Sequence, residues 1–331
     1  MSAESEIAAV AMDQGAAGAA KGGGRLADAL GSRLTRRIGI ATTLPTQLLL
    51  IFIIAFPTLV TVYISLTAWT PLDGVTWVHA FDSWSWFDNY IEIFQDGRLG
   101  GAILRTLFIV AVAVTSEFLL GFALALLFVD KFAFRPIYYS LFLLPMMVVP
   151  AVSGYMFLIL FQSTGPINQL IGLVTGHPFE MVWLTNRTTA TIAVIAADVW
   201  QWTPMMFLIL LAGLIGVPQD QIKAARLLGA SWGQILTRIS LPRIRAVIVI
   251  AIGIRFIEAL KLFDVMYIMT KGGPGVATET LSLYIYKRTF GDLEWAYVAA
   301  IGLTIVIVMS LVAITTLSVV RRIRARRVAT A

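Results

Sequence analysis

A chain of 331 residues with 58% hydrophobic and 13% charged residues, at a mean hydropathy of +0.84, is too apolar for an ordinary soluble domain. It has no cysteine, and its two histidines, His79 and His177, lie far apart, which excludes disulfides, thiol catalysis and a clustered Cys/His metal site. The net charge of +6 therefore matters through its distribution, because basic residues gather in the cytoplasmic loops of membrane proteins.

Residues 1–37 are rich in Gly and Ala and hold no apolar core of the length a signal peptide needs, so they read as a disordered tail ending in a basic stop. Beyond them, six segments carry the ~20 mostly apolar residues that a membrane-crossing helix requires. They are 44–68, 103–129, 137–161, 189–215, 246–269 and 296–320. Placing both ends inside puts 17 Lys and Arg residues on the cytoplasmic side against 6 outside. The inner set includes Lys21, Arg25, Arg33, Arg36 and Arg37 of the tail, Lys131 and Arg135, and a basic tail over 321–331. The fold class expected is an all-α polytopic bundle of six transmembrane helices, N-in and C-in, with a membrane domain over 38–320. Nucleic-acid binding drops out, since topology accounts for the basic charge.

In chain order, Glu117 lies in the middle of the second span and needs a partner; Arg255 and Lys261 are the cations that could supply one. Gly121 and Ala125 have the small-xxx-small spacing of a helix contact. Pro145 and Pro150 predict a kinked third span. Span four carries Asp198, Trp200, Gln201 and Trp202 ahead of Pro204, about ten residues inside its outer boundary. Aromatic rings beside a carboxylate and an amide suit a sugar-binding surface, while packing is the plainer role for such tryptophans.

The longest inner loop, 216–245, carries explicit local signals. Pro218 and Asp220 suit a helix start, and Gly229 follows Leu228 as a terminator. Ser231 and Gln234 form an S-x-x-Q capping box for a second helix. The expectation is two short helices around a Gly229-Ala230 bend, whose small residues Ala224 and Ala225 would let another protein approach closely. A loop lying on lipid headgroups, with Trp232 as anchor, fits the same pattern.

Span five holds Arg255, Glu258, Lys261 and Asp264 at intervals of three. Alternating charges so spaced predict a self-neutralising ladder that braces the helix. The ladder winds about half a turn, so its members cannot all face one cavity. Glu258 and Asp264 are also candidates to accept hydrogen bonds from vicinal hydroxyls, with Tyr267 one turn beyond to stack on a sugar face.

The segment Lys223-Ala224-Ala225, then Gly229-Ala230, then Ile239-Ser240-Leu241-Pro242 resembles the cytoplasmic signature of binding-protein-dependent ABC importer permeases. Lys223 stands where that family usually has Glu, and Leu228 where Asp is common. "FDNYIEIF" (87–94), "FQSTGPINQLIG" (161–172), "VWQWTPMMFLILLAGLIGVPQD" (199–220) and "RFIEALKLFDVMYIMTKGGPG" (255–275) resemble the carbohydrate-uptake class, the maltose and glycerol-phosphate type, and its first permease subunit. The resemblance implies that Lys223, Ala224, Ala225, Leu228, Gly229, Ala230 and Ser231 form the coupling to an ATPase. It also implies a second homologous permease, two copies of an ABC ATPase holding ATP and Mg, an extracytoplasmic solute-binding protein, and a bacterial plasma membrane. No G-x-x-x-x-G-K-[ST] loop is present, so the energy source lies on another chain. No catalytic residue and no cofactor of its own is expected; the alternative reading is an ion-coupled secondary transporter using Glu117, Glu258 or Asp264.

Overall fold

The computed structural model describes residue 40 and residues 42–130 and 132–329. The tail expected over 1–37, with its five basic residues, and Lys131 lie outside the described residues. The chain divides into two units, one formed by the residues up to Leu66 with those from Leu303 onward, the other by Thr67–Gly302.

In the first unit, α1 (Thr42–Ser65) is an apolar helix whose Leu49, Ile51, Phe52 and Ile54 are all exposed. Side chains on every face of a helix can be apolar and uncovered only where the surroundings are themselves apolar. The remainder of this unit is the long arm of the last helix (Trp295–Ala329), called α13 below. That helix runs on through residues 321–329, so most of the expected basic tail continues it.

The second unit begins with two 3-10 turns, Pro71–Asp73 and Trp77–Ser83, and α2 (Asp88–Gln95). Asp96 then caps α3 (Gly97–Val129), accepting from the Arg98 and Leu99 backbone amides at 2.8 and 3.0 Å. Neither proline nor a polar run interrupts α3, which accounts for its 33-residue length. Next come α4 (Arg135–Met147), α5 (Pro150–Leu160), α6 (Pro166–Thr175) and α7 (Arg187–Ile215), the last capped by Asn186 accepting from Thr188. Pro204 lies inside α7 without ending it.

The pairing of α3 with α7 forms the centre of this unit. A Cβ on Gly121 would lie 2.9 Å from the Phe207 backbone nitrogen, and Ala125 is buried beside it. The small pair thus lets the two backbones approach, as its spacing predicts. Phe128, Phe207, Leu210, Ile244 and Ala251 fill the space around this contact. At the other end, Thr106 on α3 accepts from the Leu281 amide at 2.8 Å, and Arg105 donates to the Glu279 carbonyl at 3.1 Å.

α4 and α5 meet at 97° across Val148 and Val149, the kink expected from Pro145 and Pro150. Pro150 starts α5 at a position where its missing N–H costs nothing. The chain continues through α8 (Gln219–Leu227), α9 (Trp232–Ile235), a π-helical turn Leu236–Ser240, α10 (Leu241–Ala259), α11 (Asp264–Thr270) and α12 (Leu281–Phe290) before α13.

Six spans are the sequence expectation. Among the described residues, four helices are long and apolar enough to cross a membrane, namely α1, α3, α7 and residues 295–315 of α13; a fifth is counted if the bent α4/α5 pair is one span. Residues 246–269 do not form the expected single helix. α10 ends at Ala259 and α11 starts at Asp264, and the freed Leu262 carbonyl accepts from the Thr280 hydroxyl at 2.9 Å. A side chain replaces the missing backbone donor, which makes the break tolerable in an apolar setting.

Candidate functional site

The loop between α7 and α10 folds as its local signals predict. After Leu227 the chain closes in a Schellman turn, with Ala230 N–H donating to the Ala225 carbonyl at 2.9 Å and Gly229 N–H to that of Arg226 at 3.0 Å. Gly229 has φ +79°, a conformation that costs any residue with a Cβ. Ser231 and Gln234 form the reciprocal capping box, at 2.8 and 3.3 Å. Pro218 stands at the cap of α8, one position earlier than the first turn. The tip is uncovered: Leu227 and Leu228 are 89% and 88% exposed, Trp232 is exposed, and so are Lys223, Ala224, Gly229 and Ser231, with Ala225 and Ala230 half-buried.

A second site lies inside the bundle. Arg255 on α10, 1% exposed, donates through Nε to Glu117 Oε2 at 2.7 Å and through Nη2 to Glu117 Oε1 at 2.9 Å. Its Nη2 also donates to Asp198 Oδ2 on α7. Both carboxylates are fully buried, and the Trp202 ring covers the guanidinium at 5.1 Å. One cation thus ties together α3, α7 and α10. Bidentate, charge-assisted bonding of this kind is what allows ions to remain in a medium that otherwise rejects them.

This geometry corrects the ladder expected along residues 255–264. Arg255 turns away from Glu258 toward α3 and α7; of the ladder only Glu258 with Lys261 pairs, at 2.9 Å on an exposed face. Asp198, read as a sugar contact, sits in the ion cluster. Gln201 is buried and donates to the Val148 carbonyl at 2.8 Å, bridging α7 to the α4/α5 bend. Trp200 is half-buried against Phe157 of α5, with ring centres 5.5 Å apart. Glu258, Asp264 and Tyr267 are exposed, and Tyr267 stacks on Phe263 at 5.4 Å and meets Tyr286 of α12 edge-on at 5.2 Å. The candidates therefore fall into two groups: Asp198 and Gln201 buried with Trp200 and Trp202 half-buried beside them, and Glu258, Asp264 and Tyr267 on an open surface.

Sequence reasoning missed a third cluster. Glu279, 0% exposed, accepts from Arg98 at 2.8 and 3.0 Å and from Lys287 at 2.9 Å. Burial opposes its ionisation, but the bonds from Arg98 and Lys287 outweigh it and hold its carboxyl below the usual range. Asp96 accepts from the hydroxyls of Tyr284 and Tyr297 and from backbone amides; these bonds overcome its burial and hold it at about 2. These partners lie up to about two hundred positions apart in sequence, so spacing offers no signal for them.

An all-helical membrane chain with this arrangement has the fold of the membrane subunits of ABC importers. A chain of the bacterial ABC transporter that imports the acidic polysaccharide alginate superposes with a TM-score of 0.74 at 18% identity, covering 88% of this chain and 98% of that one. This chain belongs to the family of binding-protein-dependent transport system inner membrane components, which it matches over residues 117–328. It is 33% identical to the trehalose/maltose transport system permease protein MalF of Thermococcus litoralis, over 67% of this chain and 75% of that one. It is also 32% identical to the trehalose transport system permease protein SugA of Mycobacterium tuberculosis, over 83% of this chain and 86% of the other. It is thus an ABC transporter permease, a membrane subunit and not an enzyme.

Proposed function

We propose that this chain forms one half of the translocation path of an ATP-driven importer for a sugar, polyol or related hydroxylated solute. The observation that carries the reading is the exposed Schellman turn at Gly229, presented between α8 and the capped helix α9 within the family-matched region. A projecting, conformationally fixed knob with Leu227 and Leu228 uncovered suits insertion into a cleft of another protein. Lys223, Ala224, Ala225, Leu228, Gly229, Ala230 and Ser231 are its contact residues. The partner is a pair of ABC ATPases, which hold the ATP and Mg.

The solute class rests on the transport systems for which the two relatives are named, trehalose and maltose. Glu258, Asp264 and Tyr267 are the solute-contact candidates whose exposure leaves them free to act. Asp198, Gln201, Trp200 and Trp202 shape the path from behind, with Glu117, Arg255 and Lys261 as charge partners. A second, homologous permease closes the path. An extracytoplasmic binding protein delivers solute to the loops around 165–172 and 271–275. Residues 38–320 constitute the permease domain, with 1–37 and 321–331 on the cytoplasmic side of a bacterial plasma membrane.

The test is purification from native membranes in mild detergent with identification of co-purifying subunits, then reconstituted uptake of radiolabelled disaccharide. The expected result is a complex with an ABC ATPase whose uptake needs internal ATP. Uptake that persists without the ATPase and collapses with the ion gradient would establish the ion-coupled carrier instead.

A further inference from the structure

At the end of the α3/α7 pair where both helices begin, Arg105 and Arg187 line one cavity of about 240 Å3. Its walls also include Thr191, Leu104, Phe108 and Ala277. The charges around it do not balance. Glu279 already serves Arg98 and Lys287 and lies 3.7 Å from Arg105. Arg105 Nη2 is buried with no hydrogen-bond partner, and Arg187 forms no ion pair among the described residues. Arg105 is thus held by the Glu279 carbonyl through Nε, while its Nη2 is only at ion-pair distance from the shared Glu279 carboxylate, and Arg187 lines the same space with no carboxylate of its own among the described residues. A buried donor without a partner costs on the order of 1–3 kcal/mol, which argues for an anion there.

The surroundings specify what kind of anion. Leu104 and Phe108 are 69% and 59% exposed, on the outer face of α3 directly beside Arg105. Arg105 and Arg187 each fall within two residues of the start of an expected span, 103–129 and 189–215, so the charges sit at headgroup depth and the apolar wall continues toward the hydrocarbon. A soluble anion would use the arginines and leave the leucine and phenylalanine bare. An amphiphile with a phosphate at one end and an acyl chain at the other covers both.

We propose that this cavity binds one anionic phospholipid, its phosphate held by Arg105 and Arg187 and its acyl chain lying along Leu104 and Phe108. The site rests on the chain spanning a membrane and not on which solute it carries. The lipid phosphate supplies a hydrogen-bond acceptor for Arg105 Nη2 and a counter-charge for Arg187, and it fastens the start of α7 against α3.

The assembled transporter provides the test. It is equilibrated in detergent with equal amounts of phosphatidylglycerol and phosphatidylcholine, washed, and its retained lipid identified by mass spectrometry. Phosphatidylglycerol should be retained selectively, and Arg187→Gln should reduce that retention roughly fivefold, the weight of one basic side chain at an anionic surface. Arg187 is exposed, so this variant keeps the fold, and Arg187→Lys should restore most of the binding. Equal retention of the two lipids, or retention unchanged in Arg187→Gln, would overturn the proposal. So would displacement by glycerol phosphate alone, which would mark a site for a soluble anion. Labelling of Arg187→Cys that is blocked only when the second permease is present would assign the surface to protein and overturn it equally.

Discussion

Arg255 holds Glu117 through two parallel hydrogen bonds, at 2.7 and 2.9 Å, across 138 positions of sequence. The same guanidinium reaches Asp198, so a single side chain neutralises acids on two other helices. Replacing Arg255 by Met should therefore leave two buried carboxylates without a cation and cost about 3–5 kcal/mol. Thermal unfolding of the purified complex measures this. The triple variant Arg255→Met, Glu117→Gln, Asp198→Asn should recover most of the loss, because no buried charge remains.

At Gly229 the strain is in the backbone alone, since a Cβ there meets nothing within 4 Å. Gly229→Asn should keep coupling, because Asn tolerates the left-handed region. Gly229→Val should cost at least ~1–2 kcal/mol locally and distort the turn. Its expected signature is ATP hydrolysis that no longer follows solute uptake, measured in proteoliposomes, with the complex still assembled.

Glu258, Asp264 and Tyr267 predict a different phenotype. The Glu258 to Lys261 pair is exposed, and such pairs contribute no more than ~1 kcal/mol. Alanine at Glu258 or Asp264 should thus leave assembly intact while changing the rate or preference of uptake among disaccharides. Competition assays with related sugars read this directly, and disassembly would mark the residues as braces.

Acid should loosen the cluster around Asp96 and Glu279. Both carboxyls lie below their ordinary values in the folded chain, Asp96 at about 2 from 3.8. Their contribution is complete above the ordinary carboxylate range and is lost as the pH falls from about 5 toward 2. Melting temperatures measured across that window should fall steeply for the native chain, and less steeply for Asp96→Asn.

How much of this was readable in advance follows from the range of each interaction. The turn at Gly229 and the box at Ser231 and Gln234 are local, so their residues announce them. The need of Glu117 for a cation was legible because a lone acid in a span is untenable, and Arg255 was one of two choices. The part played by Asp198 was not, since its partner lies 57 positions away and its Trp-rich neighbourhood suggests sugar binding equally well. Spacing by three suggested a ladder from Arg255 to Asp264, but α10 ends at Ala259, and the helical phase is lost before Asp264. The same break removes the sixth expected span, and the bend between α4 and α5 decides whether the remaining count is four or five. The lipid cavity combines residues whose individual readings are bland, and only their convergence in space distinguishes them.

The bend between α4 and α5 has a mechanical consequence. Every rung inside the two arms can stay closed while the joint at Val148 and Val149 opens or shuts, because the Val148 carbonyl is engaged by the Gln201 amide and not by the helix ladder. A pivot of this design exchanges one side-chain latch instead of a whole turn of helix. Gln201 is therefore the side chain that ties this bend to α7, and shortening it would free the Val148 carbonyl without breaking a rung of either arm.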